Sequence, residues 1–337
     1  MRLADGSLKT MREARQLHPD FDLTRSWALN FVPPKDGDEP LTDYLRGLGF
    51  SDDQIQYTRR SWANAACEAL ERISAAASIQ DMTDTTAGEG DFRILAGYDT
   101  LIEHVAAGLE IHLNTVVKRI DWSGSDVRVE ASNAVGDLVY RADRVVIALP
   151  LGVLQSGKVI FSPALPAEKQ DAIDRLIMGV AIKLLYVFDQ RVLPSGIGAF
   201  YSPHNPPMWW SPTFTREVNG EAITAFATGD WARELIALGD EAALQAGLDV
   251  LRRELGLPDL QPIASHFMNW AAEEFSLGGY SVVPVGGMNL RAQIAEPVNS
   301  KLFWAGEHTA KNPWAATVHG AYASGKRAAS EILNKAD

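Results

Sequence analysis

Between residues 41 and 77 the apolar positions recur every three or four residues, the spacing that lines one face of a helix. The punctuation agrees: Thr42-Asp43 precedes a short apolar run, Gly49 stops it, and Ser51-Asp52-Asp53 starts another. Residues 78–90, rich in Thr, Asp and Gly, read as a connector. From Ile111 the period changes to short β-rich runs at 115–120, 127–130 and 144–149, with Ser123-Gly124-Ser125 placed to turn a hairpin between the first two. Residues 166–177 then predict a helix, 181–188 a buried strand, 222–228 another strand, and 241–255 an amphipathic helix. No repeat or low-complexity segment interrupts this order. The mixture predicts an α/β (mixed α+β) fold in which two domains interleave along the chain rather than follow one another.

The last quarter carries Leu302-Phe303-Trp304-Ala305-Gly306-Glu307-His308-Thr309, then Thr317-Val318-His319-Gly320-Ala321-Tyr322 and Ser324-Gly325-Lys326-Arg327-Ala328-Ala329. An apolar strand ending in Gly306-Glu307 lets backbone approach a phosphate or ribose and sets a carboxylate beside sugar hydroxyls. A helix opening near Thr317 offers unpaired N–H groups and a positive dipole end to a bound ring or pyrophosphate. Upstream, Lys183 interrupts the apolar run of residues 180–188, where a buried ammonium is costly. Either a function compensates that cost or the lysine snorkels from a strand edge to solvent. Trp270 and Tyr280 stand ten residues apart, and such aromatics are ordinarily core. Trp209-Trp210, after Pro206-Pro207-Met208, either lines a cavity or closes a hydrophobic turn, the structural reading being slightly favoured.

These motifs, with Leu149-Pro150-Leu151-Gly152-Val153-Leu154, Phe161-Ser162-Pro163-Ala164-Leu165-Pro166 and Gly179-Val180-Ala181-Ile182-Lys183-Leu184, stand in an order that resembles the flavin-dependent amine oxidases, which include monoamine oxidases, polyamine oxidases and flavin-dependent histone lysine demethylases. The resemblance covers residues 92–333 well and the first ninety loosely. It implies an interleaved fold: residues 1–90 as a helical part of the substrate domain, 91–160 as an FAD-binding segment, 161–294 as the substrate domain, and 295–337 as the C-terminal FAD-binding segment. In such a site Lys183 would hold a water beside flavin N5, Trp270 would lie against the flavin, and Tyr280 would form one wall of the amine slot. Val117 would meet the adenine edge, Leu149 and Gly306 would line the cofactor, Glu307 would accept from its hydroxyls, and Thr317 and Val318 would offer N–H groups to the pyrimidine. The second wall of the slot matches Thr317, as in polyamine oxidases and histone demethylases. The loop at residues 311–316 is one residue longer than the demethylase pattern. Gly279 stands where monoamine oxidases carry the cysteine that bonds to flavin, so FAD is expected to be non-covalent.

The resemblance therefore implies oxidation of an amine by hydride transfer to FAD, imine hydrolysis, and reoxidation by oxygen with release of hydrogen peroxide. The alternatives are a desaturase or porphyrinogen oxidase of the same fold, and a catalytically silent subunit. Family members begin with a strand, a G-x-G-x-x-G turn and a helix for the FAD diphosphate. Neither Ala87-Gly88-Glu89-Gly90 nor Val285-Gly286-Gly287 has that spacing, which raises the expectation of a partner subunit carrying it, an internal start or a truncated chain.

Composition narrows this little further. A net charge of −12 disfavours nucleic acid and anionic membranes and suits a cationic amine, although many soluble proteins are as acidic. The single cysteine, Cys67, excludes an internal disulfide or a cysteine-rich metal site. His308 and His319 lack the spacing of a metal pair, and no G-x-S-x-G turn is present, so neither a metal site nor a catalytic serine is expected. No apolar run reaches the roughly 18 residues of a membrane span, and Met1-Arg2-Leu3-Ala4-Asp5-Gly6 is no signal peptide, making a cytoplasmic location the default.

Overall fold

The computed structural model describes residues 32, 34, 37–83, 94–311 and 314–334. Residues 84–93, with most of the predicted connector, and Asn312-Pro313 of the long loop lie outside the described residues. Within them the chain is a mixture of helices and four small sheets.

The first helices form as their punctuation requires. Helix α1 (Leu41–Gly47) buries Leu41 and Leu45, and Gly49 turns the chain away at φ +85°. Ser51 then caps α2 (Asp52–Thr58) in a reciprocal capping box with Gln54, and Arg59–Ala63 continues as a turn of π-helix. One expectation is corrected here. Residues 78–83 are not connector but the second half of helix α3 (Ala75–Thr83), because the Ser74 hydroxyl accepts the Ala77 N–H at 2.9 Å and Ile79 is fully buried. The polar composition that reads as loop is outweighed by a cap and one buried anchor. Helix α4 (Tyr98–Ala106) follows and buries none of its residues.

Next comes a four-stranded sheet of order β3-β2-β1-β5. The predicted hairpin is its centre, with β1 (Val116–Asp121) antiparallel to β2 (Val127–Asn133). Strand β3 (Gly136–Ala142) pairs outside β2, and β5 (Ile160–Ser162) runs parallel to β1. Between them lie β4 (Val145–Ile147) and helix α5 (Leu151–Gln155). Helix α6 (Ala167–Arg175) and strand β6 (Ile177–Met178) lead to the largest sheet, of order β11-β7-β10-β9-β8. Its strands are β7 (Ala181–Phe188), β8 (Ala199–Tyr201), β9 (Met208–Trp210), β10 (Glu221–Thr228) and β11 (Ala264–Asn269), with helices α7 (Gly229–Leu238) and α8 (Asp240–Leu255) between the last two.

The faces of this sheet differ. Ile182, Leu184, Tyr186 and Phe188 of β7 are buried with Trp209, Ile223 and Ala225 in one core that includes α7 and α8. Trp209 stacks between Tyr186 and Phe200, with ring centroids at 6.3 and 5.8 Å. Lys183 and Leu185 project from the other face, as period-two alternation demands, and both are half-buried. Trp210 is on that second face too, so the tryptophan pair divides between the core and the opposite face of the sheet.

A second core joins the first sheet to the C-terminal segment: Ile120, Val127, Ile147, Leu165, Ile173, Leu302 and Trp304 pack together. Strand β13 (Leu302–Trp304) runs parallel to β4, although they are far apart in sequence. Before it come β12 (Ser281–Val282) and helix α9 (Leu290–Ala295), and after it helix α10 (Val318–Asn334). No described helix is long and apolar enough to cross a membrane.

Lys169 fixes the position of α9. Its buried ammonium donates to the carbonyls of Gln293, Ile294 and Glu296 at 2.8, 2.7 and 2.5 Å and lies 4.7 Å from the centre of the Trp304 ring. These are carbonyls that a helix end leaves without partners. Burial pulls the Lys169 ammonium down to about 8, leaving it mostly charged at neutral pH.

Candidate active site

Three of the predicted residues, Lys183, Trp270 and Tyr280, are joined at a junction built on Gly179, Val180 and Ala181. Here β11 ends, and the chain makes a loop that closes on itself. The Trp270 N–H donates to Ala181 O at 3.3 Å, the Gly278 N–H returns to Trp270 O at 2.9 Å, and the Gly279 N–H donates to Gly179 O at 2.7 Å. The ten-residue spacing of Trp270 and Tyr280 is thus the length of a loop that delivers both aromatics to one short segment of backbone. Lys183 sits two residues farther along β7, opposite Phe226 of β10 and Met268 of β11. Its ammonium lies 5.8 Å from the centre of the Trp210 ring, and burial lowers its pKa. Trp270 and Tyr280 both pack against the core formed by α1, α2, α3 and Cys67.

Tyr280 donates its hydroxyl to Ala65 O at 2.5 Å, and burial holds its pKa well above the ordinary value. Beside it is a residue that sequence order gave no reason to place there. Cys67, in a left-handed conformation at φ +68°, lies fully buried against Gly179, Gly279 and the Tyr280 side chain. Burial pushes its thiol up to about 12, so it is held as the neutral, unreactive form.

The Gly306-Glu307 turn is formed as the motif implies. Strand β13 ends at Trp304, the Ala305 N–H joins Ile147 O at 2.9 Å, and Gly306 takes φ +123°, where a side chain would press on the His308 ring. The Gly306 N–H donates to Ser324 Oγ at 2.8 Å, and Arg327 binds the carbonyls of Trp304 and Thr309, tying the turn to α10. Glu307 accepts three hydrogen bonds: the Ser281 N–H at 3.1 Å, the Ser281 hydroxyl at 2.7 Å and the Ala316 N–H at 3.1 Å. Burial raises its pKa, while Ser281 and the nearby Arg291 guanidinium pull it back down. Buried His308 is pushed to about 4 by burial, helped by Arg291 and Arg327, and is neutral. Thr317 caps α10: its Oγ accepts the Gly320 N–H at 3.0 Å and donates to Trp314 O at 2.6 Å. Val318, the first residue of that helix, is exposed.

Two cavities bracket these groups. One, about 180 Å³, is lined by Trp62, Ser78, Asp81, Tyr280, Arg291 and Ala316. The other, about 400 Å³, is lined by Val117, Leu149, Val153, Lys158 and Phe275. The structure therefore brings Tyr280 together with Ala316, next to Thr317, and brings Val117 together with Leu149. Lys183 and Trp270 line neither cavity. Sequence reasoning missed Cys67, Asp81, Ser281 and Arg291. For Arg291 the signal was available, since Leu290, Arg291 and Ile294 share the buried face of α9.

This arrangement fits an extended dinucleotide cofactor. A cavity with an apolar lining and two lysines, Lys118 and Lys158, suits a heterocycle with a phosphate nearby. The other combines aromatic, hydroxyl and charged groups beside a buried carboxylate and a glycine whose φ admits no side chain without strain.

Comparison with known proteins bears on the same point. The sequence pattern of the family described as flavin containing amine oxidoreductase matches residues 3–333. Lysine-specific histone demethylase 1 homolog 2 of Arabidopsis thaliana is 33% identical over 288 residues, covering 82% of this chain and 37% of that protein. Polyamine oxidase 2 of Arabidopsis thaliana is 30% identical over 305 residues, covering 85% of this chain and 57% of that protein. The chain thus spans well under two thirds of the length of the curated relatives it matches. A triple mutant of putrescine oxidase superposes with a TM-score of 0.78 at 19% identity, covering 100% of this chain and 79% of that one, which shows a shared fold. The chain belongs to the flavin containing amine oxidoreductases, and its cofactor is FAD, held without a covalent bond.

Proposed function

We propose that this chain carries out a polyamine-oxidase-like oxidation of a carbon–nitrogen bond. The observation that supports it most is the closed loop between Asn269 and Tyr280, which brings Trp270 and Tyr280 to the same backbone segment from which β7 presents Lys183. When bound, FAD supplies the hydride acceptor and, with oxygen, the route to hydrogen peroxide.

The chain's own residues bind, orient and desolvate. The Tyr280 ring gives a π-face that orients an amine nitrogen, and its hydroxyl, committed to Ala65 O, fixes the ring. Lys183, desolvated and without a carboxylate partner among the described residues, is suited to hold a water by donation from an ammonium whose pKa burial lowers. Glu307, an acceptor of three donors, is suited to take cofactor hydroxyls as further donors. Val117 and Leu149 provide the apolar floor of the second cavity.

The proposal includes a G-x-G-x-x-G turn as a source of contacts to the FAD diphosphate, a turn that these 337 residues do not hold. Its test is a titration of the purified chain with FAD, followed by an amine panel that sets diamines and acetylated polyamines against carbon-only substrates. Amine turnover with peroxide release supports the reading. Turnover of a substrate lacking nitrogen in place of amines would replace it with a desaturase-like one.

A further inference from the structure

We propose that Arg291 is a positioning residue for Glu307, acting through Ser281 with Asp81 as its counter-charge. This rests on the cofactor role of Glu307 given above and extends it to groups that do not face the Gly306 turn directly.

Arg291 is buried on α9 and reaches Ser281 three times. Its Nη2 donates to Ser281 O at 3.0 Å and to Ser281 Oγ at 3.2 Å, and its Nε donates to the same Oγ at 3.3 Å. A guanidinium can only donate, so these contacts occupy the lone pairs of the hydroxyl. The single Ser281 O–H is left to point outward, and it does so at Glu307 Oε2, 2.7 Å away. Arg291 therefore sets the direction of the hydroxyl, and the hydroxyl in turn requires an acceptor on Glu307. A protonated Glu307 would have to compete with that donor, so the chain of bonds favours the carboxylate. Without Arg291 the hydroxyl is free to rotate and the buried carboxylate loses the cation that acts on it.

Asp81 completes the arrangement. It lines the same cavity as Arg291 and Tyr280, and its Oδ1 is buried without a hydrogen-bond partner. Burial pushes the Asp81 carboxyl up to about 6, and Arg291 is the cation that opposes that push. Among the described residues, the other titratable groups around Glu307 are neutral. Cys67 and Tyr280 are neutral, and His308 on the same turn is neutral and faces Arg291 and Arg327. Burial pushes the Glu307 carboxyl up, and the Ser281 hydroxyl with the Arg291 guanidinium behind it opposes that push, while Lys169 holds the end of α9, the helix that carries Arg291.

Two measurements on the full chain test this. The first follows the Glu307 carboxyl by 13C NMR across pH in the cofactor-free protein, with Glu307→Gln identifying the resonance. Arg291→Met and Ser281→Ala should each move the Glu307 titration upward by about one pH unit, a tenfold change in its ionisation equilibrium. Arg291→Lys should restore part of the shift. The second measures FAD affinity at pH 5 to 8, where the same two variants should bind about tenfold more weakly and lose FAD at higher pH than the parent. Loss of affinity with an unmoved Glu307 titration would reduce Arg291 to a structural residue and overturn the proposal, as would no change in either measurement. A moved titration with unchanged FAD affinity, in Glu307→Gln as well, would keep the relay and instead remove Glu307 from the cofactor site. Ser281→Ala leaves every charge in place and serves where Arg291→Met fails to fold.

Discussion

Cys67 and Gly279 are packed so closely that a Cβ added at Gly279 would stand 3.0 Å from the Cys67 sulfur and 2.8 Å from the Ala181 Cβ. Glycine is required there by space alone, whatever the cofactor. Gly279→Ala should cost about 1–3 kcal/mol of stability through overpacking, read as a fall in Tm. Cys67→Ala should recover part of it, since the two changes share one contact. The Cys67 thiol, as the single cysteine, should resist a thiol reagent at pH 8 in the folded chain and react fully on unfolding.

Lys183 carries a desolvation cost that the proposed function would account for. Its ammonium is desolvated among Trp210, Phe226 and Met268 with no carboxylate beside it among the described residues. Lys183→Met should leave the Tm unchanged or raise it while lowering amine oxidation by at least about tenfold. Parallel losses of Tm and activity would place the lysine among the structural residues.

The pH dependence of stability should show two opposed contributions. His308 titrates near 4 when folded against 6.5 ordinarily, so the unfolded state takes up its proton first as pH falls. That costs stability between about pH 6.5 and 4, by about 3 kcal/mol in all. Asp81, held near 6 against an ordinary 3.8, works the other way: its burial penalty is felt at neutral pH and relieved as pH falls through 6. Asp81→Asn removes the relief, so its Tm should fall more steeply than the parent's from pH 6 to 4. His308→Gln should flatten the curve over the same window. Melting curves at half-unit pH intervals separate the two.

Lys169→Met should be among the most damaging single changes outside the site. It strands three carbonyls at the end of α9, and buried unsatisfied groups cost about 1–3 kcal/mol each before relaxation. Because α9 carries Arg291, FAD affinity should fall along with Tm. Calorimetry and a flavin titration on the same variant check both.

What could be read from sequence was local or spaced by one loop. The capping box at Ser51 and Gln54, the hairpin around Gly124 and the strand-to-turn motif ending at Glu307 each encode their geometry within a few residues. The Trp270 to Tyr280 spacing could be read because one closed loop joins them. What escaped depends on partners distant in the chain. Strands β3, β8, β9 and β11 are short or lie at sheet edges, and they are specified by the strands beside them rather than by their own pattern. Cys67 meets Gly279 only because the turn that carries it packs on the Gly179 segment. Arg291 was not singled out in the sequence, because the groups that give it a role, Ser281 and Asp81, lie outside its own short helix.

The most direct test of the amine-oxidation reading is to load the chain with FAD, remove oxygen, and add a diamine while recording the visible flavin spectrum. Bleaching of the flavin band by the amine, its return on readmitting oxygen with peroxide formed, and loss of bleaching in Lys183→Met or Tyr280→Ala are the expected results. A bound flavin whose spectrum no amine changes would contradict the account.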